Sequence, residues 1–195
     1  MRIAQIHRHP ERAVPEEAVA ILEAGHVVHV GYVLDSLPMV IPFTYHYGPE
    51  SPTTLYLHGA PVGGTLQHLV GEEQVCATVT LVDGLVFSRS AKSHSVNYRS
   101  VVCFGHTHAI TDNAVKEAIF ERMIARYFPD RTAGRDYAPP ELGHLRGTAV
   151  IAIEIEEWSA KARRGGPKGP GDDQPDAPGT RGVIPFSSEP DTEPT

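Results

Sequence analysis

The stretch HSVNYRSVVCFG, residues 94–105, decides the interpretation of this sequence, because a polar and cationic cluster runs directly into an apolar, β-branched strand. An amide, a phenol, a guanidinium and a hydroxyl occupy four successive residues: Asn97, Tyr98, Arg99 and Ser100. An arginine offers a fixed fork of donors to a phosphate or carboxylate, and the strand that follows offers a wall to a flat ring. The junction therefore predicts a site for an anionic, ring-bearing ligand. The alternative is a surface salt bridge at the end of a strand.

Length and composition predict one soluble domain. The chain has 195 residues, of which 41% are hydrophobic and 21% are charged. No apolar run approaches the roughly 18 residues that a membrane span needs, and the first residues lack the apolar core of a secretory signal. The two cysteines, Cys76 and Cys103, fall inside predicted strands without the spacing of a metal or redox pair. We therefore expect a cytoplasmic protein with reduced core thiols.

The charge balance disfavours nucleic-acid binding. The formal net charge is −7, and the acidic residues are scattered along the chain. Proteins that bind nucleic acids usually present a basic face to the phosphates. A pocket for a small anionic ligand needs only a few local cations. We therefore expect a small-molecule substrate as partner, with no nucleic acid and no membrane.

Two helices are predicted from their end signals. The first starts at Pro15 with two acidic residues and ends at Gly25. The second starts after Asp112, a possible N-cap, carries apolar residues on one side, and stops before Pro129.

The remaining segments predict strands. HVVHVGYVL and MVIPFTYHYG form an expected hairpin whose turn contains Asp35, Ser36 and Pro38, and TTLYLHG is an expected third strand. In QVCATVTLVDGLVFSRS, the dipeptide Asp83–Gly84 predicts a two-residue turn and therefore a second hairpin. TAVIAIEIEEWS alternates in the manner of a last strand.

The C-terminal part has a different composition. Its sequence GGPKGPGDDQPDAPGTRG is dense in glycine, proline and acids and cannot bury enough apolar surface to fold alone. We therefore divide the chain into a domain at residues 1–162 and a partly disordered, Pro/Gly-rich arm at residues 163–195. Within the arm, the apolar island GVIPF can dock on the body or on a second subunit.

These elements predict a mainly β fold, an antiparallel barrel with helices packed at its ends and sides. A doubly wound parallel sheet is disfavoured, because strands and helices do not alternate and no GxGxxG turn follows the first strand.

Five segments together resemble a known family. The order of LPMVIPFTYHYG, LYLHGAPVGG, VCATVTLVDGLVFSRS, HSVNYRSVVCFG and WSAKARRG is similar to the pyridoxamine 5′-phosphate oxidase-like flavin-nucleotide-binding proteins, in the branch of the nitroimidazole-resistance proteins. The resemblance covers roughly residues 8 to 165. It implies a split β-barrel that forms a homodimer and binds FMN in a cleft at the subunit interface.

The resemblance also implies site residues. His58 matches the histidine that ends the third strand and is implied to be catalytic. The implied FMN-binding residues lie on the second and third strands, in the loop after the third strand, and at the two cationic segments: Val40, Ile41, Pro42, Leu57, His58, Gly59, Val62, Gly63, Asn97, Tyr98, Arg99, Ser100 and Lys161. A plain core strand is the alternative for the residues of the second strand, and a satisfied core histidine is the alternative for His58.

The sequence departs from the family pattern at one position that matters for FMN. Where the family usually has a basic residue in the loop, this chain has Gly64. Losing a charge-assisted hydrogen bond to the phosphate costs about 1.5–3 kcal/mol of affinity. The candidates to compensate are Arg89, Lys92 and Arg99.

Histidines and hydroxyls suggest rival functions. The chain has 11 histidines, and His106 and His108 share a strand face, but no partner near in sequence completes a metal site, so we predict none. The adjacent residues Ser93, His94 and Ser95 point to alternating faces and do not form a nucleophile–base pair.

The residues named above are compatible with three functions. The first is an FMN-dependent oxidoreductase that reduces a nitroaromatic or another small organic acceptor, with His58 placed to donate a proton. The second is a non-catalytic protein that stores or senses flavin or haem, with His58 as the axial ligand of a haem. The third is a barrel that has lost its cofactor, in which case the arginine would engage in internal salt bridges.

Overall fold

A computed structural model describes residues 4–62 and 64–186. In those residues the chain forms three α-helices and seven strands, connected in part by short 3₁₀ turns. The helices are α1 (Ala18–Ala24), α2 (Asn113–Tyr127) and α3 (Leu142–Arg146). The strands are β1 (Val27–Leu34), β2 (Leu37–His46), β3 (Thr54–Gly59), β4 (Gln74–Phe87), β5 (Ser95–Ile110), β6 (Ala149–Arg163) and β7 (Gly182–Pro185).

The strands form an antiparallel barrel. Their order is β1-β2-β3-β6-β5-β4-β7, and β1 also pairs with β4, which closes the first six strands on themselves. The closure consists of three residue pairs, in which His29, Val30 and Gly31 face Thr78, Ala77 and Cys76. The mainly β split-barrel prediction is therefore confirmed.

Alternation along each strand separates the core from the exterior. Val28 and Val30 of β1 and Leu55 and Leu57 of β3 are completely buried inside the barrel. The long strands β5 and β6 contribute inward residues along the same core, so one contiguous apolar cluster fills the barrel.

The predicted helices are confirmed at their ends. The first starts with a 3₁₀ turn at Pro15–Glu17 and ends at Gly25. In α2 the Asp112 side chain accepts hydrogen bonds from the backbone N–H groups of Ala114 (2.8 Å) and Val115 (3.0 Å), so Asp112 is the N-cap. Arg126, near the end of α2, donates to the carbonyls of Leu22 and Tyr45 and thereby joins α2 to α1 and the barrel.

The first predicted hairpin is confirmed, with one change. Asp35 and Ser36 form its turn, both with positive φ (49° and 68°), as a two-residue type I′ turn requires. Pro38 lies inside β2 opposite Val33 rather than in the turn.

The second predicted hairpin is wrong. Residues 74–87 form one continuous strand, β4, and Asp83 and Gly84 make a β-bulge in it. The carbonyl oxygen of Ile184 in β7 lies 2.5 Å from where a Cβ of Gly84 would be, so this glycine serves the close approach of β7 and not a chain reversal.

The C-terminal arm is packed on the barrel along residues 164–186, which differs from the predicted partial disorder. β7 extends the sheet by pairing with β4, so the apolar island docks on its own body. The side chain of Asp172 is 1% exposed and accepts hydrogen bonds from the hydroxyl of Ser88 (2.7 Å) and the backbone N–H groups of Arg89 (3.0 Å) and Gly169 (2.6 Å). Residues 187–195 of the predicted arm lie outside the described part of the chain.

The ionised form of Asp172 fixes the arm. Burial acts to raise its pKa, but the hydrogen bonds from Arg89, Ser88 and Gly169 outweigh this effect, and the pKa lies below its ordinary value. The carboxylate therefore stabilises the folded protein at pH values above the range in which an aspartate ordinarily titrates. This contribution is lost as the pH falls through the lowered pKa.

Replacing Asp172 by alanine should release the arm, because three donors lose their shared acceptor. Limited digestion with trypsin, which cleaves after Lys168 and Arg181, should become about tenfold faster or more at these sites. The neighbouring change Asp173→Ala removes an exposed carboxylate and is the matched control. Equal cleavage of both variants would show that Asp172 does not hold the arm.

Candidate functional site

The polar cluster at the start of β5 is divided between two faces. Successive strand residues point to opposite sides, so Asn97 and Arg99 lie on the side of the buried Val101. Tyr98 and Ser100 face outward. In a single chain the four side chains therefore do not share one face of the sheet, and that they line one pocket stays a prediction.

Arg99 is held by an internal ion pair. Its Nη2 lies 2.6 Å from Oδ1 of Asp83, and its Nε lies 3.0 Å from Oδ2. This hydrogen bond raises the pKa of Arg99. The structure thus contains the salt bridge at a strand end that is the alternative interpretation of this segment. An arginine in an internal salt bridge is also what we expect of a barrel that has lost its cofactor.

Arg89 is likewise occupied. Its guanidinium donates to the carbonyl oxygens of Gly171 (2.8 Å) and Gly179 (3.2 Å) in the arm. Two of the three candidates to replace the missing loop cation, Arg89 and Arg99, therefore bind groups of their own chain. Lys92, the third, is exposed.

The outward side of five adjacent strands forms a continuous surface, which we call the outer face. Cross-strand pairing places its side chains in rows over β2, β1, β4, β5 and β6: Val40, Gly31, Cys76 and Phe104; Pro42, His29, Thr78, Val102 and Ser159; and, on the last three strands, Thr80, Ser100 and Lys161. Val40 is 64% exposed. A further row holds Val82, Tyr98 and Arg163. The outer face therefore unites five of the predicted site residues: Val40, Pro42, Tyr98, Ser100 and Lys161.

Other predicted residues lie elsewhere. Leu57 is fully buried in the core, and Ile41 packs against the core from the inward side of β2, so neither side chain reaches the outer face. A Cβ on Gly59 would come 2.9 Å from the Leu66 side chain, so the glycine serves local packing. Val62 is 80% exposed, and Gly63 lies outside the described residues.

His58 lies on the outward side of β3 beneath α2. Its ring meets Phe120 edge-on, with 5.5 Å between centroids. Within residues 4–62 and 64–186, neither ring nitrogen makes a hydrogen bond. Burial lowers the pKa of His58, so the imidazole is neutral at pH 7.

One chain does not bring His58 next to Ser100. His58 pairs with Val150, which pairs with Ile110 of β5. Ser100 and Ile110 are ten residues apart on that strand, which corresponds to about 33 Å along it.

A histidine that the sequence analysis did not select lies near the same helix. His46 is 3% exposed, its Nε2 lies 2.8 Å from Oε1 of Glu50, and its Nδ1 is buried without a hydrogen-bond partner in the described structure. Burial lowers its pKa, and it borders a cavity of about 340 Å³ that Arg122 also lines. The (i, i+4) spacing of His46 and Glu50 was its only sequence signal.

The described residues contain no group of three or more His, Cys, Asp or Glu side chains placed to hold a metal. His106 instead bonds to Glu156 at 2.9 Å. Both cysteines are free; Cys103 is buried, and Cys76 is half-buried on the outer face. No helix in residues 4–62 and 64–186 has the length and apolarity to cross a bilayer.

Comparison with known proteins places the chain in a family. The family model described as pyridoxamine 5′-phosphate oxidase matches residues 15–162, and the chain therefore belongs to this family. No curated protein matches the sequence significantly.

Solved structures share the fold. The flavocytochrome Anf3 from Azotobacter vinelandii is 30% identical, with a TM-score of 0.85 over 100% of this chain and 89% of its own. An FAD and haem binding protein from Mycobacterium smegmatis is 26% identical, with a TM-score of 0.80 over 94% of this chain and 89% of its own. A structure from Bacteroides thetaiotaomicron described as a 5-nitroimidazole antibiotic resistance protein is 24% identical, with a TM-score of 0.62 over 77% of this chain and 86% of its own.

Proposed function

We propose that this protein binds a flavin nucleotide on its outer face and is a flavin-dependent oxidoreductase acting on a small organic acceptor, such as a nitroaromatic compound. FMN is the flavin that the sequence resemblance implies. The observation that carries the proposal is the row of exposed Pro42 and His29 and half-buried Val102, next to the hydroxyl of Ser100 and the ammonium of Lys161. The flavin content of related structures supports it: one is a flavocytochrome, and another binds FAD and haem.

The donors of the outer face fit an anionic flavin tail. Lys161 gives one hydrogen bond, to the carbonyl of Arg8 at 2.8 Å, and an ammonium has three hydrogens to donate. Neither Ser100 nor Lys161 pairs with a carboxylate in the described residues. Both groups can therefore bind a phosphate, whereas Arg99 would first have to release Asp83.

The protein would hold the ring and control its surroundings. A bound flavin supplies hydride or electron transfer. Pro42 and Val102 offer apolar contact to a flat ring and exclude water from it, while Lys161 fixes the anionic end. A neutral imidazole has one N–H and one free nitrogen, so His58 can give or take a proton at the substrate.

The assembly that unites these residues is a homodimer. His58 and Ser100 are too far apart in one chain, but a second copy packed on the outer face would bring its own His58 toward the first copy's Ser100. The outer face and its hairpin present exposed apolar side chains suited to such packing: Val27 (42%), Val33 (67%) and Val40 (64%).

A haem-binding storage or sensing protein is the second candidate. His58 fits an axial ligand, because its ring is neutral and neither nitrogen is hydrogen-bonded within the described chain. The two structures reported above that cover 94% or more of this chain are the flavocytochrome and the haem-binding protein, whereas the third covers 77%.

The flavin proposal predicts a specific role for Lys161. Purified protein should show the visible bands of oxidised flavin or gain them on addition of FMN or FAD. Lys161→Met should weaken flavin binding about tenfold or more, because a charge-assisted hydrogen bond is lost. Arg135→Met removes one positive charge from an exposed loop outside the outer face and should leave the affinity unchanged. A protein that takes up neither flavin would be the cofactor-free scaffold.

The haem proposal predicts a separate role for His58. Protein reconstituted with haem should show a Soret band, and His58→Ala should abolish it while flavin binding is largely retained. Absorbance titration of both variants measures this. Retention of the Soret band with loss of flavin binding would remove His58 as the haem ligand.

A further inference from the structure

A cavity of about 440 Å³ lies where the N-terminal segment, the end of β6 and the C-terminal arm meet. Four cationic side chains line it: Arg12, Arg163, Arg164 and Lys168. We call it the cationic cavity. Its charge contrasts with the chain as a whole, whose net charge is −7.

Few carboxylates balance these cations. Glu11 lies 3.8 Å from the Nε of Arg12, and Glu17 pairs with Arg164. Lys168 has no ion pair in the described residues. Arg163 donates to Oδ1 of Asn97 and to the carbonyl oxygens of Gly165 (3.1 Å) and Gly166 (3.2 Å), and burial together with repulsion from Arg12 lowers its pKa. Two carboxylates therefore face four cations, and Arg12 and Lys168 are the two without a close partner in the part of the chain that the structure describes.

The cavity lies next to the outer face along β6. Arg163 lies two residues beyond Lys161 on β6 and pairs with Tyr98, so both cations are on the same side of the sheet. An extended ligand on the outer face could therefore reach the cavity with its charged end.

The four cations lie outside the part of the chain that the family model matches, which spans residues 15–162. Lys168 belongs to the arm, which Asp172 and β7 hold on the barrel. The docking of the arm thus has a chemical consequence, because it brings a fourth cation to the site.

We propose that the cationic cavity binds the oxyanion end of a cofactor, either the phosphate of a flavin nucleotide or the propionates of a haem. Guanidinium forks pair bidentately with both phosphate and carboxylate oxygens, and an ammonium adds a point charge. The choice of a cofactor rests on the proposed function. The affinity for oxyanions does not, because it follows from the charge of the cavity, in which Arg12 and Lys168 have no close ion pair within the described residues.

The test uses the full chain and three variants of it, each with a single substitution. The Nε of Arg12 lies 3.8 Å from a carboxylate oxygen of Glu11, and Lys168 has no ion pair in the described residues, so Arg12→Ala and Lys168→Ala should both fold normally. Arg135→Ala removes one charge from an exposed loop outside the cavity and is the charge-matched control. Each protein is titrated calorimetrically with inorganic pyrophosphate, and its apo form is titrated with FMN, FAD and haem.

The wild type and Arg135→Ala should bind pyrophosphate saturably. Arg12→Ala and Lys168→Ala should each bind it at least about tenfold more weakly. A matching loss of FMN or FAD affinity identifies the flavin phosphate as the natural occupant, and a loss confined to haem identifies the propionates. Pyrophosphate binding without any cofactor binding would contradict the proposed function but not the oxyanion site. Equal pyrophosphate affinity in all four proteins, or no saturable binding, would overturn the inference.

Discussion

Three residue pairs between β1 and β4 determine the rest of the architecture. By placing His29 to Gly31 against Thr78 to Cys76, they close the barrel and set which side chains point inward. Because strand side chains alternate with a period of two, a shift of one residue would move the buried valines of β1 to solvent and the outer-face residues into the core. The burial of Val28 and Val30 against the barrel interior therefore also fixes the composition of the outer face.

The same closure explains how the candidate site is distributed. Helix α2 covers His58 on the outward side of β3, whereas the outward side of β1, β2 and β4 carries exposed valines. Ser100 and Lys161 belong to the second region and His58 to the first. A barrel built in this way separates the binding groups from the candidate proton donor, and a second copy of the chain is the simplest means of joining them.

The sequence was informative where the signal is local or is spread over several motifs. The helix ends at Gly25 and Asp112, the hairpin turn near Asp35 and the split-barrel family could all be predicted. The turn at Asp83–Gly84 could not, because the strong local preference of this dipeptide is overridden by two distant contacts: the approach of β7 at Gly84 and the ion pair of Asp83 with Arg99. The docking of the apolar island GVIPF was one of two predicted options, but the packing of the rest of the arm was not predicted, since a composition that cannot fold alone is held by Asp172 and residues far away in the chain.

The division of Asn97, Arg99, Tyr98 and Ser100 between two faces, in contrast, follows from strand periodicity and could have been anticipated once β5 was predicted. Its consequence is that Lys161, and not Arg99, becomes the cation available to a ligand on the outer face.

The most direct test of this account is the molar mass of the flavin-loaded protein, measured by light scattering during size-exclusion chromatography with absorbance detection of the flavin. The monomer has a mass of 21.2 kDa. A site completed by two chains predicts that flavin elutes with a species of about twice that mass. Flavin bound stoichiometrically to a stable monomer would contradict it.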